Sequence, residues 1–419
     1  MSTENDGLKK TCWLTMKCVA SDHKEATRVA PHSDSGRSLQ MTKTRFGGVF
    51  AVPAAAALLC ATALSTPAPA QAEELRIAVG MSGSSALVRG MYEFADNIEA
   101  NTDGAYTGKI FEASLLNFAE SMTGLRDGIA DGAFVVPAYH RAEFPNTNLV
   151  GDLATATTDP VVMAGAVNEF MFSCAPCLKE YADQNQVFLG MVVTGPYYMM
   201  SVDPLTTPED FSGKKIRGFG PYGRWVDAMG ATPVVLSAND IYEAISQGQL
   251  DGNTHAPEIL QSLSLGEVVD YLLNEPIGLF NGNSMYTVNK DLWSDLGDDD
   301  KRAFLEAAGS ATAWATVTYL QDNAKLLADP ASVGVELVEP SEALHAASVK
   351  FREDDINTVA KDNMEKHGIA DAEAQVARML ELIAKWEGLL AGIDASDIDA
   401  VAELYNAEIF SKVDAAVLN

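Results

Sequence analysis

Arg217 and the short segment around it form the first place in the sequence where binding chemistry can be expected. The arginine ends a β-like run, KKIR, before a loop broken by glycine and proline that leads into a helix. Because a guanidinium always carries its charge and presents a planar set of donors that matches a carboxylate, an arginine at a strand end suggests an anion site. An isolated arginine is more often solvated, with its stem on the surface.

His255 is the one histidine that lies at a turn near the Arg217 segment. His345 and His367 fall in polar helical stretches, where solvated side chains are predicted. The chain has no G-x-S-x-G, H-E-x-x-H, Walker or helix-opening G-x-G-x-x-G motif. The sequence therefore predicts neither an enzyme nor a cofactor or metal site.

The first 72 residues differ from the rest of the chain. They contain Lys43 and Arg45, an apolar stretch over about 46–64, and the small-residue site Ala-Gln-Ala at 70–72. This order is typical of a secretory signal peptide and predicts export to the periplasm.

Two other interpretations of this segment are weaker. A membrane anchor is disfavoured because glycines and a proline interrupt the apolar stretch, and a lipoprotein signal at Cys60 is disfavoured because Leu59 is bulky. The sequence leaves open whether translation begins at Met1 or Met41.

The charge balance restricts the partners of the exported chain. From residue 73 onward there are 21 basic and 53 acidic residues, a net charge near −32. So acidic a surface excludes nucleic acid as a partner and favours solubility. The charge says little about a ligand that is bound in a cleft.

Cys174 and Cys177 are the only cysteines after the predicted cleavage site, in the sequence C-A-P-C. In an exported protein, two cysteines this close most simply form a local disulfide, and no nearby histidine or cysteine completes a zinc site. A thioredoxin-like redox motif is the alternative, but such a motif normally follows a first β-strand, and the flanks here look helical.

The periodicity of the exported chain predicts an α/β protein. Strand-like and amphipathic helical stretches alternate from Glu73 to AFVVPAY, which indicates a parallel-sheet domain. QVFLGMVVTGPYYMMSV then continues through Gly195-Pro196 into a second β run, where the chain can pass to a second α/β domain. The stretch from about 297 to 330 predicts one helix long enough to span both domains.

The order of these segments resembles the DctP-like solute receptors of tripartite ATP-independent periplasmic (TRAP) transporters. The most specific stretch is FSGKKIRGFGPYGRWVDAMGATPVVLSANDIYEAISQGQLDG, which is similar to the family's G-x-K-[IL]-R strand, its helix closing in G-A-x-P-V, and its Y-x-A-[IL]-x-x-G-x-x-D-G helix. LRDGIADGAFVV and LWSDLGDDDKRAFLEAA resemble further elements. The resemblance runs from about Glu73 to the C-terminus.

The resemblance implies a two-lobed periplasmic-binding-protein architecture with a ligand cleft between the lobes. Lobe I is expected to comprise 73–195 with 287–328, and lobe II 196–286 with 329–419, after the pre-segment 1–72. It also implies a monomer that binds a small organic acid and delivers it to a TRAP membrane permease.

The same resemblance places the carboxylate-binding arginine of the family on Arg217. His255 stands where the family usually has an asparagine that shares the carboxylate, and its N–H can still donate. Tyr197 stands where some members carry a second basic residue, which favours a monocarboxylate over a dicarboxylate, although the sequence leaves the choice between them open.

The other candidates for the pocket come from topology, because ligands of α/β sheets lie beyond the carboxyl ends of strands. Trp225 is either a lid over the ligand or part of the core. Aromatic residues around the cleft would suit an apolar, aromatic or cationic ligand. The strand-end candidates are Ser82, Tyr139, Phe280 and Asn281.

Two further functions stay open from the sequence. One is a secreted lyase or isomerase that uses the same cleft, with His255 as its base and Tyr197 as the only other candidate group. The other is a receptor that presents its ligand to a sensor instead of a transporter.

Overall fold

A computed structural model of the protein describes residues 72–418. The predicted signal peptide, its cleavage site up to residue 71 and both candidate start codons lie outside these residues. The strands are β1 (Glu73–Val79), β2 (Tyr106–Glu112), β3 (Gly132–Val135), β4 (Gln186–Pro196), β5 (Tyr198–Ser201), β6 (Lys215–Arg217), β7 (Thr232–Val234), β8 (Gly252–His255), β9 (Tyr271–Leu273), β10 (Leu279–Asn289) and β11 (Glu336–Val338).

The helices follow the predicted alternation. They are α1 (Ala86–Asn101), α2 (Ser121–Arg126), α3 (Pro145–Gly151), α4 (Pro160–Ser173), α5 (Ala175–Asp183), α6 (Gly220–Ala228), α7 (Ile241–Ser246), α8 (Ile259–Ser262), α9 (Lys290–Asp295), α10 (Asp298–Ala328), α11 (Glu342–His367), α12 (Ala372–Leu390) and α13 (Ile398–Glu408). Side-chain caps fix the first turns of several helices. At the start of α1, for example, Ser85 is the N-cap, and its Oγ accepts a hydrogen bond from the backbone N–H of Leu87.

The first lobe is built on a sheet in the order β2-β1-β3-β10-β4. β1 pairs in parallel with β2 and β3, whereas β10 runs antiparallel to β3 and β4. Strand β10 is buried along its whole length, as expected for a central strand covered on both faces.

The second lobe is built on a sheet in the order β11-β9-β5-β8-β6-β7. β6 lies between the parallel strands β7 and β8, with Arg217 opposite Val234 and Asn253. Because parallel strands place their carboxyl ends at one edge of the sheet, the end of β6 faces the site where ligands of such folds bind.

The described chain passes between the two sheets three times: between β4 and β5, between β9 and β10, and between α10 and β11. The first passage is the one predicted at Gly195-Pro196. Strand β10 runs across the lobe boundary that the resemblance places at 286/287, and α12 packs on α4. The exact division of the chain into lobes stays a prediction.

Helix α10 has 31 residues, so it is about 46 Å long at 1.5 Å per residue. It packs against α1 and β4 of the first lobe. Near its end, the Asn323 side-chain oxygen accepts a hydrogen bond of 2.9 Å from the backbone N–H of Glu258, which follows β8 of the second lobe. The predicted helix spanning both domains is therefore present.

A buried network of charges joins α3, α6 and α11. The Asp152 carboxylate, after α3, accepts two hydrogen bonds of 2.7 Å from Arg141 and one of 3.3 Å from Arg224 on α6. Arg224 also donates at 2.6 and 2.9 Å to Asp355 of α11. Burial opposes ionisation of Asp152, but the two guanidinium groups hold its pKa below the usual value. The network fixes α6, the helix that follows Arg217.

Cys174 lies at the break between α4 and α5, and the structure joins it to Cys177 by a disulfide. The helical flanks of the C-A-P-C sequence are as predicted. None of the described helices alone has the length and apolarity to cross a membrane, although the bent pair α4 and α5 together would pass by length and composition.

Candidate ligand-binding site

Arg217 is almost completely buried, with 1% of its surface exposed. Its Nε donates to the carbonyl oxygen of Leu236 at 3.1 Å, Nη1 to that of Thr254 at 3.1 Å, and Nη2 to the Tyr139 hydroxyl at 3.0 Å. The Phe219 ring covers its guanidinium carbon at 4.6 Å. Among the described residues each Nη has one acceptor, so one hydrogen on each remains for another acceptor. The solvated interpretation of this arginine is wrong.

Tyr139 connects Arg217 to the first lobe. It lies in the 3₁₀ turn that follows β3, and its hydroxyl oxygen accepts hydrogen bonds from Arg217 Nη2 and from the backbone N–H of Ala238, both at 3.0 Å. A phenol oxygen that accepts twice keeps its single hydrogen for a third partner. Tyr139 also lines a cavity between the lobes.

Aromatic side chains form one wall of this cavity. The Tyr197 ring stacks on Tyr222 at 4.3 Å and on His255 at 4.6 Å between ring centres. Phe280 lies 5.5 Å from Tyr197 and 5.6 Å from Phe219. Of the predicted site residues, the structure brings Tyr139, Tyr197, His255 and Phe280 together in the lining. Arg217 lies directly behind them and does not itself line the cavity.

His255 is a neutral side chain at neutral pH. Burial and the nearby charge of Arg217 lower its pKa from 6.5 to about 3. Nδ1 lies 3.3 Å from the carbonyl oxygen of Ala256 and Nε2 lies 3.5 Å from the Tyr197 hydroxyl. The ring therefore serves as a stacking and hydrogen-bonding group, and the stronger donor that a protonated imidazole would provide is disfavoured.

Several polar lining residues escaped the sequence analysis. Thr194 Oγ1 and Asn283 Nδ2 are buried without a hydrogen-bond partner among the described residues. Unpaired buried polar groups of this kind cost about 1–3 kcal/mol each, so their presence marks a place where a polar ligand group is expected. Thr194 could have been suspected because it precedes the predicted passage between the lobes, whereas Asn283 gives no local signal.

Glu258 is the one carboxylate in the cavity lining, and it too was missed. It is 6% exposed, and the Ser262 hydroxyl donates to its Oε2 at 2.9 Å. Burial raises its pKa, which hydrogen bonds from Ser85 and Ser262 partly counteract. Its position three residues after His255, just past a proline, is the sequence signal that could have found it.

Three predicted site residues lie elsewhere. Trp225 is fully buried, donates through Nε1 to Ser348 Oγ at 2.9 Å and meets Phe211 edge-on, so it belongs to the core and is not a lid. Asn281 is fully buried and donates to the carbonyl oxygen of Val150 at 2.9 Å. Ser82 follows β1 as predicted but is exposed and outside the cavity.

Within residues 72–418, no group of three or more His, Cys, Asp or Glu side chains is placed to hold a metal ion. The site is therefore made of a buried arginine, a phenol with a free hydrogen, stacked rings and a few polar groups. Such an arrangement offers hydrogen-bond donors beside apolar ring faces, the combination typical of small-molecule pockets.

The sequence pattern of the bacterial extracellular solute-binding proteins, family 7, described as DctP, matches residues 79–362. The chain belongs to this family. The resemblance to DctP-like TRAP solute-binding proteins is thereby confirmed. Family 7 proteins are extracellular solute receptors, which are not a class of enzymes.

Curated relatives of the family 7 chain agree with this assignment. A solute-binding protein of Roseobacter denitrificans is 22% identical over 317 residues, which cover 70% of this chain and 90% of that protein. The ectoine-binding periplasmic protein TeaA of Halomonas elongata is 31% identical over 135 residues, 32% of this chain and 39% of its own length.

Solved structures of family 7 receptors share the two-lobed fold. A TRAP solute-binding protein of Rhodoferax ferrireducens in complex with benzoate superposes with a TM-score of 0.64 at 20% identity, covering 75% of this chain and 99% of its own. A TRAP solute-binding protein of Bordetella bronchiseptica with bound mandelate superposes with a TM-score of 0.62 at 22% identity, covering 74% of this chain and 99% of its own. At this identity the likeness concerns the fold alone.

Proposed function

We propose that the protein is a periplasmic receptor that binds a small organic acid between its lobes and delivers it to a TRAP membrane permease. Arg217 carries the proposal: a buried guanidinium at the carboxyl end of β6 with one hydrogen left on each Nη. Burying a charge with only neutral partners is costly, and a ligand carboxylate would supply the missing counter-charge. Export through the predicted signal peptide and a monomeric state are parts of this proposal.

Tyr139 strengthens the proposed carboxylate site. Its hydroxyl accepts from Arg217 and lines the cavity, so it would donate to one carboxylate oxygen, while Arg217, which lies behind the lining, would reach the other oxygen after a shift of the lining side chains. The Tyr197, His255 and Phe280 rings would enclose the apolar part of the ligand. Benzoate and mandelate, the molecules bound by two structural relatives, combine these two features.

The enzyme alternative has less support. A general base works best with a pKa near the operating pH, and a pKa of about 3 makes His255 a weak base. Tyr197 is equally unsuited because burial raises the pKa of its phenol far above the usual value. A receptor that serves a sensor uses the same site, and neighbouring genes for a small and a large multi-span membrane protein would favour the transporter.

A calorimetric titration tests the proposal. A panel of small carboxylates and the corresponding amides is first screened by thermal shift on the mature chain, and the best acid is then titrated. We expect Arg217→Lys to weaken binding about ten- to a hundredfold, because lysine keeps the charge but not the planar pair of donors. Arg76→Lys, at an exposed ion pair with Asp131, is the matched control and should bind like wild type.

Two results would refute the carboxylate site. One is an Arg217→Lys variant that is folded and binds the acid as tightly as wild type. The other is an amide that binds as tightly as its acid.

A further inference from the structure

The cavity region holds two buried ionisable side chains of opposite type, Arg217 and Glu258, that do not pair with each other. The hydrogen-bond partners of Arg217 are two backbone carbonyls and the Tyr139 hydroxyl. The Glu258 carboxylate, in the cavity lining, has the hydroxyl of Ser262 as its partner in good geometry. Neither side chain has a hydrogen-bond partner of opposite charge among the described residues.

Tyr197 lies within the electrostatic reach of both charges. Burial dominates the rise in the pKa of its phenol, while Arg217 acts to lower that pKa and Glu258 acts to raise it. Since the Tyr197 ring and Glu258 both line the cavity, a ligand that packs on this ring would lie close to Arg217 and Glu258 at once.

Buried ions are stable when they are paired, because the loss of hydration is otherwise uncompensated. A ligand with a single carboxylate would supply a counter-charge for Arg217 but would offer no cationic partner to the Glu258 carboxyl, whose pKa is raised by burial. Asp322, whose negative charge also raises the pKa of Glu258, adds to that cost. A ligand that carries both charges satisfies both residues.

We propose, building on the receptor function above, that the ligand is a zwitterion whose carboxylate is bound at Arg217 and whose cationic nitrogen is bound at Glu258. The unpaired Thr194 and Asn283 groups lie in the same cavity and would bond its remaining polar atoms. The aromatic wall suits such a ligand as well, because ring faces attract cations.

Two other roles of Glu258 predict different results. A protonated Glu258 would donate to an uncharged ligand oxygen. Alternatively, Glu258 would hold the two lobes together through its hydrogen bond with Ser85, the residue that caps α1 in the first lobe. In that role it would contribute equally to the affinity for every ligand.

The test uses calorimetry on the full mature chain with ω-amino carboxylates of increasing chain length, each matched with the alkanoate of the same length. We expect the best-fitting amino carboxylate to bind about tenfold or more tightly than its alkanoate. Glu258→Gln should abolish this preference, because it should weaken amino carboxylate binding much more than alkanoate binding. Glu267→Gln, an exposed acid outside the cavity, is the control and should keep the preference.

The zwitterion proposal is overturned if no amino carboxylate binds, if alkanoates bind as tightly as amino carboxylates, or if Glu258→Gln weakens both series equally while far-ultraviolet circular dichroism shows it folded. The receptor function would still stand in each case if the acid panel shows binding that depends on Arg217.

Discussion

The Tyr139→Phe substitution tests the hydroxyl group of Tyr139 separately from the packing of its ring. The substitution removes one oxygen and keeps the ring, which meets Phe219 edge-on at 5.9 Å. The lost oxygen accepts from Arg217 and from Ala238, and its hydrogen is the one that would donate to the ligand. The change should therefore affect both stability and binding, through different bonds.

The expected loss of affinity follows from the type of bond. A hydrogen bond to a charged partner contributes about 1.5–3 kcal/mol, so Tyr139→Phe should weaken carboxylate binding about 10- to 150-fold. Stability should fall by about 1–3 kcal/mol because two buried donors lose their acceptor. Calorimetry with the best acid and urea unfolding of the free protein measure the two effects separately.

Tyr222→Phe is the matched control in the same aromatic cluster. The Tyr222 hydroxyl already donates to the carbonyl oxygen of Leu279 at 2.6 Å, and the residue does not line the cavity. Its loss should lower stability by about 1 kcal/mol and leave affinity within about twofold of wild type. Tyr139→Phe binding as tightly as Tyr222→Phe would show that the Tyr139 hydrogen does not reach the ligand.

Three further predictions concern pH, the disulfide and lobe closure. The pKa of His255 is about 3 in the folded chain and near 6.5 when unfolded, so the stability that this residue contributes is complete above pH 6.5 and is lost as the pH falls. Between pH 6.5 and 5, the free energy of unfolding of the wild type should fall by up to about 2 kcal/mol more than that of His255→Gln. Equal decreases for the two proteins in urea unfolding would contradict this pKa. Thiol titration of the unfolded, unreduced mature protein should find no free thiol at Cys174 or Cys177, and the double Cys→Ser variant should still fold, since so short a loop stabilises little. Small-angle scattering should show a smaller radius of gyration with saturating ligand than without, and identical profiles would count against closure of the lobes.

The sequence predicts the parts of this structure that local patterns encode. Alternating strands and helices, the uninterrupted α10 pattern and the passage at Gly195-Pro196 all depend on neighbours in the chain. The family resemblance adds the position of Arg217. The rule on strand ends names Tyr139, after β3, and Arg217, at the end of β6, but these strands belong to different sheets, so the contact between the two residues depends on how the sheets face each other.

The missed residues meet only through tertiary packing. Glu258 and Thr194 line one cavity although they are far apart in the chain, and no periodicity links them. Trp225 lies on a helix whose inward face is set by contacts with Ser348, more than a hundred residues later. The rule on strand ends also names the edge where Ser82 lies but not whether its side chain faces the cavity.

The three passages between the sheets also determine how the molecule can move. Two lobes joined by one covalent connection could rotate freely about that point. With two connections, they could still rotate about the line that joins the two points. A third, at the end of the stiff α10, ties the same lobes again and suppresses twisting and sliding. Together with the packing of α12 on α4, these connections are expected to restrict closure of the lobes mainly to one angle. A partner that contacts the outer surface of both lobes would then distinguish the filled from the empty receptor by this angle.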